Sequence, residues 1–196
     1  MPSTNKYPVI LVHGINDSAK NMRHIKKHLS EFGFIVHSVD LLPSSGEVGI
    51  EVLASQLDNF INTKIECYQQ FNLIGFSMGG LICRYYVQRL NGLSRIAHFI
   101  TISSPHFGTL TAYLSNKMAA RQMRTNSNFI KDINDDLKIL KSIKVTSIWT
   151  PLDLMILPAS SSSLSVAKEI RVWCVLHPLM LRSIKCMEII KDELLT

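Results

Sequence analysis

The sequence predicts an α/β fold: a three-layer αβα sandwich around a mostly parallel central sheet of about six strands. Three observations predict it. Short apolar runs rich in β-branched residues alternate with segments of helical period, the pattern left by βαβ units. The chain has 196 residues, 46% of them hydrophobic and 18% charged, which suits a sizeable core and is too apolar for disorder. Around residue 75 a strand-like run passes through a glycine-flanked turn directly into a helix-like pattern. Neither an internal repeat nor a linker divides the chain, so one domain over residues 1–196 is expected.

The elements follow in order. Residues 8–12 read as a buried strand ending at His13-Gly14. Met22, Ile25, Leu29 and Phe32 recur at helical spacing and place a helix over residues 18–31. Residues 34–39 make the second strand, and 43–46 a loop. Ile50, Leu53, Leu57, Phe60, Ile61 and Ile65 mark one face of a long amphipathic helix. Residues 71–74 form the central strand, followed by a helix to about Leu90. Residues 95–102 form the next strand, ending in Ser103-Ser-Pro-His-Phe-Gly108. Residues 109–122 and 129–142 are expected to be helical. Residues 145–149 are a strand that Pro151 stops, and 158–165 a loop containing a proline and several serines. Residues 169–176 complete the sheet, and 179–194 form a closing helix.

Composition narrows the function classes. No apolar run approaches the ~20 residues that cross a bilayer. The first six residues lack a signal peptide's apolar region and cleavage site. Lys-Asp-Glu-Leu at 191–194 is not terminal, and Asn16-Asp-Ser18 is a sequon that carries little weight without a secretion signal. Cys67, Cys83, Cys174 and Cys186 lack metal-like or disulfide-like spacing and fall in apolar patterns, so four buried thiols in a reducing, cytoplasmic setting are expected. The formal net charge is +6, from 21 basic and 15 acidic residues. Part of it lies on Lys20, Arg23, His24, Lys26, Lys27 and His28. A solvated helix face is the favoured reading of that cluster, and weak attraction to an anionic membrane surface the second. Nucleic-acid binding has no supporting motif, and residues 75–80 lack the glycine spacing of dinucleotide or P-loop sites.

The chemistry resides in Gly75-Phe-Ser77-Met-Gly79. A strand–turn–helix of this form strains the serine backbone and lifts its hydroxyl above the strand end, beside a positive helix N-terminus. A serine hydroxyl is a weak nucleophile and needs a base, which needs an orienting acid. Parallel sheets gather such groups at the carboxyl ends of strands. Asp153 follows the strand ending at Trp149 by four residues, and His177 directly follows the strand expected to end at Leu176. Asp132, Asp135 and Asp136 compete for the acid but lie in a helix-like stretch. His106 competes for the base, also at a strand end, although it precedes Asp153. His24 and His28 belong to the basic helix, His37 and His98 to strands, and His13 reads as a buried strand-end residue. The oxyanion donors expected are the backbone N–H groups of Met78 and Ile15, with Gly14 allowing a close approach.

These residues resemble the α/β-hydrolase superfamily, and within it the small lipases and esterases. Val9-Ile-Leu-Val-His-Gly-Ile15 is similar to the oxyanion strand and loop, and Gly75-Phe-Ser-Met-Gly-Gly80 to the nucleophile elbow. Thr101-Ile-Ser-Ser-Pro-His-Phe-Gly-Thr109 and Asp153-Leu-Met-Ile-Leu-Pro158 are similar to a lipase turn and an acid loop. The resemblance implies a compact α/β-hydrolase fold with a minimal cap or none, and the triad Ser77, Asp153 and His177. It also implies hydrolysis of small-molecule or lipid esters through an acyl-serine, with no metal and no organic cofactor. Phe76 stands where lipases usually carry His, and Pro178 follows the base. Helices within 109–142 and the 154–165 loop are the lid candidates. Met155, Ile156, Leu157, Leu179 and Met180 are candidate acyl contacts, with core packing as their competing role. Thioesterase, amidase, phospholipid deacylase, acyltransferase and a catalytically inert binding module are the alternatives.

Overall fold

A computed structural model describes residues 7–196; the reading of residues 1–6 as lacking a leader lies outside them. Six parallel strands form one sheet in the order β2-β1-β3-β4-β5-β6: β1 (Val9–Val12), β2 (Val36–Val39), β3 (Phe71–Phe76), β4 (Ile96–Ile102), β5 (Lys144–Trp149) and β6 (Lys168–Arg171). Helices α1 (Arg23–Glu31) and α6 (Ile184–Leu195) cover one face. On the other lie α2 (Ile50–Lys64), α3 (Met78–Arg89), α4 (Met118–Gln122) and α5 (Asn128–Asp135). The three-layer architecture expected from the sequence is the one observed.

Strand alternation divides the core into two. Ile10, Val12, Leu73 and Phe99 pack towards α2 and α3, whereas Val9, Leu11, Ile74 and Ile100 pack towards α1 and α6. Successive strand side chains point to opposite faces, and both faces here are covered, so the central strands read as continuous apolar runs rather than alternating ones. Full burial of each such side chain is worth about 1.5–3 kcal/mol.

Several boundaries differ from expectation, each for a local reason. The last strand stops at Arg171 rather than Leu176. It is an edge with one neighbour, and beyond it the ladder gives way to side-chain bonds. The Val172 N–H still reaches Trp149 O (2.9 Å), but Thr150 Oγ1 then donates to Cys174 O (2.7 Å). Trp173 and Val175 project into solvent. The first helix begins as a 3₁₀ turn over Ala19–Met22, and the closing one is preceded by the 3₁₀ helix His177–Arg182. Residues 109–142 form 3₁₀ turns Leu110–Leu114 and Leu137–Ser142 around α4 and α5 rather than two long helices. Ser127 interrupts them by capping α5, its hydroxyl accepting the Ile130 N–H at 3.1 Å. The loop after Pro158 holds a short 3₁₀ turn, Ala159–Ser162. The expectation of four buried thiols is corrected. Cys83 and Cys186 are buried, but Cys67 is exposed in the turn after α2 and Cys174 partly exposed beyond the shortened β6; all four are free.

Candidate active site

Strand order reverses between β1 and β3, the place where parallel sheets open a crevice beyond their carboxyl ends. The register pairs Val12 with Gly75, so the loop leaving β1 and the turn leaving β3 emerge side by side. Ser77 occupies that turn with φ 54° and ψ −126°, a conformation costing a non-glycine residue on the order of 1–3 kcal/mol. Its N–H donates to Ile102 O at 2.9 Å, and α3 packs tightly beneath it. That packing dictates the flanking glycines. A Cβ on Gly75 would lie 2.6 Å from Gly80 Cα, and one on Gly79 2.5 Å from the carbonyl oxygens of Val12 and His13.

The β1 loop lies against this elbow. A Cβ on Gly14 would meet Ser77 Cβ at 3.0 Å and Phe76 Cδ1 at 3.3 Å. Asn16 pins the loop's far side by donating its N–H to Ser44 O at 2.9 Å. Met78 opens α3, so its N–H has no intrahelical partner and sits at the positive end of the helix. His13 is a buried strand-end residue, as read from sequence: Nδ1 lies 2.8 Å from Gly14 O, and Nε2 accepts the Leu41 N–H at 3.0 Å.

Asp153 lies buried in the loop after β5. Its Oδ1 accepts the N–H groups of Met155 and Ile156, each at 2.9 Å, and its Oδ2 lies 2.7 Å from His177 Nδ1. Burial pushes the Asp153 carboxyl up, but its bond to His177, the charge there and the two backbone donors together hold it below its ordinary value. His177 opens the 3₁₀ helix His177–Arg182 rather than following a strand directly, with Pro178 in a first-turn position where a missing N–H is tolerated. The Phe76 ring packs on the His177 ring at 4.7 Å between centroids. His177 Nε2 is buried and has no hydrogen-bond partner among the described residues. A buried polar atom of this kind finds its partner in water or in a bound ligand.

Ser77 lies at the junction of two cavities. One, of about 340 Å³, is bordered by His177, Phe76, Asp17, Arg23 and Arg182. The other, of about 380 Å³, is apolar and runs past Ala112, Leu114, Met123, Leu154 and Ile156. Ile15 and Met155 border both. A larger cavity of about 690 Å³ lies near Ile96 and Lys144, at the amino ends of β4 and β5, and shares no residue with this site.

The sequence-derived residues therefore sort clearly. Ser77 and His177 border one cavity, Asp153 holds His177, and Ile15 and Met78 flank Ser77. Of the acyl-contact candidates, Met155 and Ile156 line the apolar cavity and Leu179 the polar one. Met180 is corrected to core packing, being fully buried among α1 and α6 residues, and Leu157 borders a separate depression. The competitors are committed elsewhere. His106 is fully buried, bonded to Thr101 Oγ1 at 3.1 Å, and burial holds it well below its ordinary pKa. Asp132 and Asp136 pair with Arg89. The 154–165 loop, a lid candidate by sequence, is tied at its start to residues 109–111: Thr111 Oγ1 donates to Met155 O at 2.6 Å, and Leu157 N–H to Thr109 Oγ1 at 2.8 Å. Sequence reasoning missed the packing of Phe76 on His177 and the place of Arg182, and read Arg23 only as part of a basic helix face. Phe76 registered there only as a departure from a lipase pattern.

A family model for palmitoyl protein thioesterase matches residues 8–150. The chain belongs to this family. The match includes Ile15, Ser77 and Met78 and ends short of Asp153 and His177. Among curated relatives, human lysosomal thioesterase PPT2 is 32% identical over 107 residues, covering 52% of this chain and 34% of that protein. Palmitoyl-protein thioesterase 3 of Dictyostelium discoideum is 29% identical over 106 residues, covering 52% of this chain and 36% of its own length. The matched region thus spans about a third of these relatives. Solved lipases share the fold. Mature Bacillus licheniformis lipase BlEst2 aligns with 100% of this chain and 94% of its own at TM-score 0.79 and 17% identity. Aspergillus fumigatus lipase B aligns with 97% of this chain and 52% of its own at TM-score 0.80 and 18% identity. The α/β-hydrolase fold implied by the sequence resemblance is the fold of this family member.

Proposed function

We propose that this thioesterase-family chain is a serine hydrolase of fatty-acyl esters, acting through an acyl-serine. The observation that carries the reading is the buried Asp153–His177 pair at 2.7 Å, whose free Nε2 belongs to the residue that borders the Ser77 cavity. With Asp153 holding the proton on Nδ1, Nε2 is the basic nitrogen. Ser77 Oγ attacks the acyl carbonyl carbon and its proton passes to Nε2. The oxyanion is met by the N–H groups of Met78 and Ile15. Collapse breaks the bond to the leaving oxygen or sulfur, which takes the proton from Nε2. Water then attacks the acyl-serine with His177 again as base, releasing the acid and Ser77. Met155 and Ile156 contact the acyl chain in the apolar cavity, while Leu179 borders the other cavity, beside His177.

Within this class the family match favours thioesters over oxygen esters, and the thioesterase names of the relatives point the same way. A fluorophosphonate probe should label wild-type protein at Ser77 and leave Ser77→Ala unlabelled. Parallel hydrolysis of matched long-chain ester and thioester substrates then sets the preference. Folded protein that neither labels nor turns over either substrate would leave the inert binding module as the correct reading.

Free cysteines and two buried neutral histidines, His98 and His106, support a neutral, reducing setting such as the cytoplasm. The human relative, by contrast, is named lysosomal. Among the described residues no helix is long and apolar enough to cross a membrane.

A further inference from the structure

The two cavities that meet at Ser77 differ in charge, and the difference bears on the leaving group. The apolar cavity has no charged residue in its lining. The polar cavity has Arg23 and Arg182 against a single carboxylate, Asp17. Asp17 Oδ1 is already occupied, accepting the Ser18 N–H at 2.7 Å and the Asn21 amide. Neither arginine forms an ion pair among the described residues; Arg23 donates only to Lys20 O at 3.3 Å. Lys20 and Lys26, exposed on the same segment, add positive charge nearby.

Chemistry decides which half of the substrate enters which cavity. The base that accepts the Ser77 proton must return it to the departing atom, so the leaving group has to lie within reach of His177. His177 lines the polar cavity and not the apolar one. The acyl chain therefore takes the apolar cavity, and the leaving group faces Arg23 and Arg182. Planar guanidinium groups without carboxylate partners match phosphate oxygens through paired, charge-assisted bonds. At about 340 Å³ the polar cavity is within the size range of small-ligand sites.

We propose that Arg23 and Arg182 form a leaving-group subsite selecting substrates whose departing alcohol or thiol carries phosphate. This rests on the acyl-serine reading above and names the substrate half which that reading leaves open. Two sources share the chemistry: a phosphate-bearing carrier thiol and the phosphodiester headgroup of a lysophospholipid.

The test is a ratio. The kcat/KM for palmitoyl-coenzyme A is divided by that for the uncharged palmitoyl N-acetylcysteamine thioester. Palmitoyl-lysophosphatidylglycerol is likewise compared with monopalmitoylglycerol. At least one ratio should exceed unity in wild type and fall roughly tenfold or more in the double variant Arg23→Gln/Arg182→Gln, the scale of one lost charge-assisted bond. The pair that responds identifies the source. Fluorophosphonate labelling of the variant confirms that its site is assembled. Lys26→Gln, on the same helix but outside the cavity, controls for general attraction. Ratios that stay within about threefold of wild type in the double variant overturn the subsite. So does a Lys26→Gln effect of equal size. Failure of wild type to turn over even the uncharged thioester counts instead against the acyl-serine reading.

Discussion

Replacing Asp153 by Asn tests the arrangement around His177 with almost no change in volume. The outcome follows from the carboxylate's two sides. Oδ1 accepts two backbone N–H groups, from Met155 and Ile156, at 2.9 Å each. An amide NH₂ cannot accept hydrogen bonds, so the Asn oxygen must take that side. The NH₂ is then forced onto His177 Nδ1, now 2.7 Å from Oδ2. Facing a donor, Nδ1 must give up its proton and accept, which moves the proton to Nε2. The ring then presents an N–H to Ser77 where it needs a lone pair. A tautomer inversion of this kind lowers kcat by about 10⁴-fold, or about 5 kcal/mol in the barrier. The loop should stay folded, because both backbone donors keep an acceptor. Stopped-flow acylation with an aryl palmitate, beside a denaturant titration, separates the two effects. Activity within tenfold of wild type in a normally stable Asp153→Asn protein would falsify the assignment of Asp153 as orienting acid.

Other perturbations follow from the same geometry. Ser77→Ala should remove turnover by about 10⁴–10⁶-fold, whereas Ser77→Gly, equally inactive, should be more stable by about 1 kcal/mol or more because φ 54° no longer strains a side chain; equal urea midpoints for the two variants would contradict the strain. Gly14→Ala pushes a methyl group to 3.0 Å from Ser77 Cβ, and a displaced donor loop should lower kcat about 10²-fold with KM little changed; a purely KM effect in steady-state kinetics would argue against an oxyanion role. Phe76→Ala removes the ring packed against His177 and should lose about 3 kcal/mol of stability together with turnover, with Phe76→Leu recovering most stability but less activity. Acid should loosen the fold. Burial and neighbouring lysines lower His98 to about 4, while the unfolded chain binds that proton near its ordinary 6.5. Stability present at neutral pH is therefore lost as pH falls through 6.5, by about 3 kcal/mol from this residue, levelling below about 4. Urea midpoints at several pH values, with NMR titration of the His98 ring, check this; a ring that titrates near 6.5 in folded protein refutes it.

Much of this was legible in the chain because it depends on local pattern. Apolar runs on either side of Gly75-Phe-Ser-Met-Gly79 could only be a strand and a helix around a tight turn, and the close contacts of Gly75 and Gly79 explain why. The buried central strands were placed to within two residues. The edge was not. Residues 172–176 carry strand-forming side chains, but pairing ends when a strand has one neighbour and a hydroxyl, that of Thr150, captures the chain. Met180 shows a second limit, since position three residues after His177 says nothing of which way a 3₁₀ turn faces its side chains. Arg84 was invisible for a third reason. It is fully buried and bonded to Ile133 O and Asn134 Oδ1, acceptors whose approach depends on α5 packing over α3. The contact of Phe76 with His177 likewise joins residues remote in sequence, and only the assembled sheet brings them together.

The junction at Ser77 has a further consequence for the order of events. If the departing group and the incoming nucleophile both use the doorway that His177 guards, they must pass through it in turn. Under the proposed acyl-serine reaction the first product would then have to vacate before deacylation begins, a ping-pong order set by the architecture. An acceptor that fits the vacated space better than water would divert the acyl group onto itself. Whether the protein ends an acyl group's journey or merely redirects it then depends on the occupancy of that one space.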